Sequence, residues 1–201
     1  MRQDAHSGMW LVVPVKPFGE GKSRLASQLS PTERAGVSRQ MLIHLMEVAA
    51  ASRVLAGVIV VSRDPAVLAL AAEAGALPVA ETGEGINPAL DQATAAAMQR
   101  GAQAVLVLPG DLPLITREDI AQLDRCLPNP TGICLAESKD GGTNALAMRP
   151  LKAIPYAFGA KSFHRHRSLA EAAGLPIHLI TSPTLAVDLD SPADLWVINQ
   201  K

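Results

Sequence analysis

Short runs of apolar residues alternate with longer segments in which apolar positions recur every three or four residues, and the alternation repeats along most of the chain. The short runs predict strands at residues 9–15, 58–62, 77–80, 104–108, 132–136, 145–148 and 177–180. The segments between them open on readable helix starts. "SPTE" at residues 30–33 joins a capping box to a proline at the first helical position and predicts a helix to about Ala51. Asp64-Pro65, Asn87-Pro88 and Ser191-Pro192 repeat the pairing of a cap with a proline, while Gly75 and Gly101 fit helix stops. Strand and helix alternating at this rhythm predict an α/β fold, a mixed, mainly parallel sheet with helices on both faces. Ligands of such sheets sit outside the carboxyl ends of the strands, so the residues that follow each strand become the site candidates.

The first strand leads into "VVPVKPFGEGKSRLA", residues 12–26, where Gly21-Lys22-Ser23 matches the tail of a phosphate-binding Walker loop. The glycine such a loop needs five positions earlier is Lys16, and Pro17 removes a backbone donor, so a true loop of that kind is disfavoured. A loop carrying Lys16, Lys22 and Arg24 before a helix still suits phosphates. "SRDP" after the second strand reads as a helix cap by Asp64. "ETGEGINPAL" after the third, residues 81–90, offers Gly83 and Gly85 for close backbone approach, with Asn87 as cap of the next helix; a plain glycine-rich turn is an equal reading. "LPGDLPL", residues 108–114, puts Asp111 at the end of the fourth strand, and "AVDLDSPADL" supplies Asp188 and Asp190. Two apart in an extended segment, those carboxylates can face one point. Three acids and three cations suit a divalent ion with a polyphosphate, since Mg²⁺ takes a few carboxylates and completes its shell with water and phosphate oxygens. Loop solvation, with Asp194 as a first-turn helix acid, is the competing explanation.

Composition narrows the partners. The 201 residues fit one domain, residues 1–201, with residues 1–8 as a flexible leader. Eighteen Lys plus Arg against 19 Asp plus Glu give no global field to hold nucleic acid or an anionic membrane. The start lacks the apolar core of a signal peptide, and no run reaches the roughly 18 residues of a membrane span, so a cytoplasmic location is expected. Cys126 and Cys134 have neither metal nor redox spacing and read as buried free thiols.

The ordered set "PVKPFGEGKSRLA", "GINPALDQA", "LPGDLPL", "DGGTNAL", "FGAKSFHRH" and "DLDSPADL" resembles the guanylyltransferases that act on 2-phospho-L-lactate or phosphoenolpyruvate in the biosynthesis of coenzyme F-420. The resemblance covers nearly the whole chain and implies a single-domain nucleotidyltransferase fold of the nucleotide-diphospho-sugar transferase type. It implies Lys16, Lys22 and Arg24 on the phosphates of GTP, with Gly85 and Asn87 near guanine and ribose. It further implies Asp111, Asp188 and Asp190 as ligands of Mg²⁺, with Mn²⁺ as the alternative, and Thr143, Gly159 and Ser162 on the phospho-acid. Lys22, Arg24 and Asp111 would carry the catalysis. Gly159 and Ser162 precede a predicted helix whose free N–H groups suit an anion. "HRHR", residues 164–167, either adds charge there or forms a solvated basic face. Glu20, an acid within the first loop, departs from what a phosphate site would contain.

The implied reaction is attack by a phosphate oxygen of the acid on the α-phosphorus of GTP, with no need of a catalytic histidine. The acceptor is left open among 2-phospho-L-lactate, phosphoenolpyruvate and 3-phosphoglycerate. A homodimer is an open alternative, and the product would pass to a downstream transferase of the same pathway. Two rivals stand beside this reading. One is a guanylyl- or cytidylyltransferase for another cofactor such as molybdopterin, weakened because "KPFGEGKSRL" replaces that group's paired-glycine loop. The other is a non-catalytic nucleotide-binding regulator, weakened by the full set of aspartates.

Overall fold

In the computed structural model, which describes residues 8–189 and Asp194, each of the seven apolar runs forms a strand. These are β1 (Met9–Pro14), β2 (Leu55–Ser62), β3 (Leu77–Ala80), β4 (Ala104–Val107), β5 (Gly132–Glu137), β6 (Thr143–Arg149) and β7 (Ile177–Ile180). They make one sheet in the order β3-β2-β1-β4-β6-β5-β7. The helices are α1 (Pro31–Ala51), α2 (Pro65–Glu73), α3 (Ile86–Met98), α4 (Arg117–Cys126) and α5 (Ser162–Ala172).

Side chains alternate across a strand, and both faces of this sheet are apolar because both are covered. Leu11 and Val13 of β1 join α1, α2 and α4 in one core, which includes Leu42, Leu45, Val67 and Ile120. Val12 points the other way, into a core that includes Leu90 and Ala93 of α3 and Phe163 and Ala170 of α5. The caps read from the sequence hold at α1, where Ser30 and Glu33 form the full capping box, and at α2, where Asp64 accepts from the Ala66 N–H. Gly75 and Gly101 sit just past helix ends at φ 80° and 78°, the left-handed region that glycine occupies without strain.

Two local expectations are corrected. Helix α3 is capped at Gly85, φ 96°, and Asn87 lies inside its first turn rather than at the cap. The first loop leads not into a full helix but into a single 3₁₀ turn, Ser23–Leu25, before α1 begins.

All pairings are parallel except those of β6, which runs against both β4 and β5. That reversal brings the start of β6, at Thr143, to the sheet edge where the other six strands end. Every candidate loop therefore opens on one edge. The segment after β7 crosses this edge and is tied down along its length. Ser182 and Thr184 donate to the buried Asp119 carboxylate, Asn144 Nδ2 donates to the Leu185 carbonyl (2.8 Å), and the Leu189 N–H donates to the Asp111 carbonyl (3.2 Å). Leu189 packs with Leu25 and Met41, so the end of this segment, the first loop and α1 meet at one place.

Candidate active site

A cleft of about 670 Å³ opens at the carboxyl edge of the sheet, and its walls include Lys16, Lys22, Arg24, Gly85 and Asp111. Lys22 caps the 3₁₀ turn with φ 59°, a left-handed backbone uncommon for a residue with a side chain. The side chain is only 5 % exposed, and Nζ lies 2.5 Å from Asp111 Oδ2. The first and fourth strand-end loops are thus joined by an ion pair within the cleft. Gly110 fixes their approach: a Cβ there would stand 3.1 Å from Val15 Cγ2, so a side chain would push the Asp111 loop away.

The acid that looked out of place in the first loop has a partner. Glu20 pairs with Arg63, from the loop after β2, and both line the cleft. Neighbouring Asp64, besides capping α2, accepts the Phe18 N–H through Oδ2 at 3.0 Å and so holds the first loop against the second. Glu20 is thus neutralised locally, and its charge does not set the character of the cleft.

The donor set fits a hard, oxygen-ligated cation. Asp111 keeps 31 % of its side chain exposed towards the cleft, and Asp188 stands next to Leu189, whose N–H bonds Asp111's own carbonyl. Carboxylates are what Mg²⁺ ordinarily takes from a protein, and Asp111 presents one to the cleft. Among the described residues no group of three or more His, Cys, Asp or Glu side chains is arranged to hold a metal, and the third expected ligand, Asp190, lies outside the described residues.

The residues expected to hold the phospho-acid also come together. Ser162 Oγ donates to Thr143 Oγ1 at 3.1 Å, and the Ser162 N–H donates to the Gly159 carbonyl at 3.1 Å. Thr143 and Ser162 are 6 % and 2 % exposed. Of the N–H groups at the start of α5, those of Ser162 and Phe163 are taken by the carbonyls of Gly159 and Gly141. They are therefore not free for an anion, contrary to the expectation. Gly159 itself, at φ 128°, leaves room that Arg165 uses: a Cβ there would lie 3.0 Å from Arg165 Nη2.

Asn87, which the resemblance puts near guanine and ribose, has its amide engaged within the chain. Its Oδ1 accepts the Phe158 N–H (2.8 Å) and its Nδ2 donates to the Phe158 carbonyl (3.2 Å). The amide clamps the turn before Gly159 to the start of α3, linking the two halves of the site. A second link is electrostatic. Ser138's hydroxyl holds the Asp140 carboxyl below its ordinary range, and Arg24, from the cleft, adds to the effect.

The "HRHR" run divides by face. His164, Arg165 and Arg167 are exposed, and Arg167 pairs with Glu171 one turn on (2.8 Å). His166 is fully buried: Nδ1 lies 3.0 Å from Thr143 Oγ1, Nε2 accepts the Ala157 N–H at 3.0 Å, and Phe158 packs edge-on at 4.7 Å between ring centres. Burial pushes its pKa down to about 4, with the charge of Arg165 contributing. His166 was not among the sequence candidates, although its spacing three after Phe163 and four before Ala170 marks the apolar face of α5. The cysteines are free thiols as expected, Cys134 buried and Cys126 half-buried, and burial raises the Cys134 pKa to about 12, which leaves it unreactive. Among the described residues no helix is long and apolar enough to cross a membrane.

Comparison with known proteins agrees with this geometry. Among solved structures, a nucleotide-diphospho-sugar transferase from Desulfovibrio desulfuricans superposes with a TM-score of 0.78 at 18 % identity, covering 95 % of this chain and 86 % of that one. A CMP:2-keto-3-deoxy-manno-octonic acid synthetase complexed with CTP gives 0.65 at 16 % identity, covering 96 % and 97 %. These likenesses establish the fold. In sequence, a phosphoenolpyruvate guanylyltransferase of Sphaerobacter thermophilus is 44 % identical over 92 % of this chain and 89 % of its own. A 3-phospho-D-glycerate guanylyltransferase of Phenylobacterium zucineum is 36 % identical over 86 % of this chain and 81 % of its own. The model of the family described as "Guanylyl transferase CofC like" matches residues 9–199, and the chain, a nucleotidyltransferase, belongs to that family.

Proposed function

We propose that this enzyme transfers GMP from GTP to phosphoenolpyruvate and releases pyrophosphate, as a step towards coenzyme F-420. The observation that carries the reading is one sheet edge holding Lys16, Lys22, Arg24 and Asp111 in a single cleft, with the Thr143–Ser162 hydroxyl pair tied to it through Asn87 and Asp140. The relatives named as phosphoenolpyruvate guanylyltransferases favour that acid.

The nucleophile is a phosphate oxygen of the acid. A phosphate monoester has its second pKa near 6 and is largely dianionic at neutral pH, so no general base is required. As the new P–O bond forms at the α-phosphorus, the bond from that phosphorus to the bridging oxygen breaks, and its electron pair leaves with pyrophosphate. The obstacle is repulsion between two anions, which fixed positive charge and positioning overcome. Lys16, Lys22 and Arg24 supply that charge. Lys22 holds three N–H donors and shares them between Asp111 and the departing phosphates. A Mg²⁺ ion bound by Asp111 and Asp188 would neutralise phosphate oxygens further. Thr143, supported by Ser162, holds the acid and keeps its phosphate facing the nucleotide.

The test is pyrophosphate release with GTP, ATP and CTP, each offered with phosphoenolpyruvate, 2-phospho-L-lactate and 3-phosphoglycerate, the products being identified by mass. Turnover of GTP with phosphoenolpyruvate above the other pairs is expected. Preference for 3-phosphoglycerate, the acid in the name of the Phenylobacterium zucineum relative, would move the acceptor. Equal use of the three nucleotides would refute the guanine assignment.

A further inference from the structure

We infer that His166 is a positioning residue: it sets the hydrogen-bond direction of Thr143 so that this hydroxyl can only donate to the ligand beside it. The inference rests on the reading of Thr143 as a contact of the phospho-acid. A backbone N–H has no choice of role, so the Ala157 N–H, 3.0 Å from Nε2, makes that nitrogen an acceptor. A neutral imidazole protonated on one nitrogen must then carry its hydrogen on Nδ1. Nδ1–H points at Thr143 Oγ1, 3.0 Å away, and therefore donates to it. Ser162 Oγ donates to the same oxygen at 3.1 Å.

A hydroxyl oxygen accepts two hydrogen bonds and donates one. Both acceptor places on Thr143 are filled by the chain itself, and its own proton has no acceptor among the described residues. That proton is left for a group outside the chain, and the group must be an acceptor. A carboxylate or a phosphate oxygen satisfies this; an ammonium or an N–H does not. Ser162, whose proton is spent on Thr143, acts on the acid through Thr143 rather than by donating to it. His166 stays neutral at physiological pH because burial lowers its pKa to about 4, so the arrangement does not switch in that range. Phe158, edge-on to the ring and held by Asn87, keeps the imidazole in its plane. The histidine takes no proton from the substrate.

The decisive measurement uses the unmodified protein labelled with ¹⁵N-histidine. Long-range ¹H–¹⁵N correlation at pH 7 should show one histidine in the Nδ1–H tautomer, the reverse of the form that a free neutral histidine side chain favours. His166→Gln identifies the signal by its loss. Kinetics then connect the tautomer to the ligand. His166→Gln and Thr143→Val should each raise KM for phosphoenolpyruvate about tenfold or more while KM for GTP stays within about twofold. The double variant should be no worse than Thr143→Val alone, because the histidine acts through the threonine. Thr143→Ser, which keeps the hydroxyl, should stay within a few-fold of the parent. An Nε2–H tautomer would overturn the device itself, and multiplying penalties in the double variant would overturn its route through Thr143. Absence of turnover with every acid would refute the functional reading and with it the ligand end of the chain, whatever tautomer is found.

Discussion

Acidification from pH 7 towards pH 4 should destabilise the folded chain through His166, and the size of the effect follows from its surroundings. The ring is fully buried and Nε2 already accepts a backbone N–H, so a proton added there would set two donors face to face. Burial, with the Arg165 charge contributing, holds the pKa at about 4, against an ordinary 6.5. Between those values the unfolded chain binds a proton that the folded chain refuses, so stability rises with pH across the window. The contribution is whole above about pH 6.5 and is lost as pH falls through the window to about 4. At about 1.4 kcal/mol for each pH unit of separation, the full span is worth about 3 kcal/mol, of which about 2 kcal/mol is lost between pH 7 and pH 4.5. Urea unfolding of the parent and of His166→Gln at half-unit steps of pH would measure it. The variant is less stable at pH 7 but carries no imidazole to titrate, so its stability should fall less steeply. If the two curves ran parallel from pH 7 to 4.5, the neutral buried state of His166 would be refuted.

Asp111→Asn should lower kcat about a hundredfold or more with an unchanged circular dichroism spectrum, because an amide is a poorer cation ligand and leaves the buried Lys22 ammonium without its anionic partner. Lys22→Ala should raise KM for GTP and lower kcat, since its charge is wanted most as pyrophosphate leaves, while Ser162→Ala, which removes one of the two donors that orient Thr143, should raise KM for the acid less than Thr143→Val does and leave GTP little changed; steady-state kinetics with each substrate varied in turn would expose a reversed assignment. Asn87→Ala strips the Phe158 backbone of two side-chain hydrogen bonds and should cost about 1–3 kcal/mol of stability in urea unfolding, with a loss of affinity for the acid rather than for GTP. A selective loss of GTP affinity instead would return Asn87 to the nucleotide.

The architecture was legible wherever it rests on local pattern. Buried runs such as those of β1, β2 and β4 are apolar on both faces, and Ser30, Asp64, Gly75 and Gly101 carry their own boundary chemistry. What escaped was set by partners distant in the chain. Asn87 before Pro88 has the look of a cap, yet its amide is spent on Phe158, 71 residues away, and the positive φ of Gly85 starts the helix instead. Glu20 looked unfit for a phosphate loop until Arg63 supplied its counter-charge. His166 hid in a basic run because the run was read as charge; the spacing from Phe163 to Ala170 shows which of its residues turns inward. Lys16, Lys22, Arg24 and Asp111 line one cleft because strand ends in a parallel sheet gather at one edge whatever the details of the loops.

The single reversed strand divides the enzyme's candidate site into two groups of loops on a shared core. On one side of β6, the parallel strands β1 to β4 and their loops carry the cleft proposed for the nucleotide. On the other, the β5–β6 turn and α5 carry Thr143, Ser162 and His166, and the polar contacts of the 138–142 turn and of Phe158 with the nucleotide side include the Arg24–Asp140 attraction and the Asn87 amide. A lineage or a designer can therefore exchange the turn of residues 138–142 together with the 156–166 stretch and present a different acid to an unaltered nucleotide. Chimeras between relatives that use different phospho-acids should be cut at those two joints, because a cut inside β6 would separate Thr143 from the strand pairing that aims it.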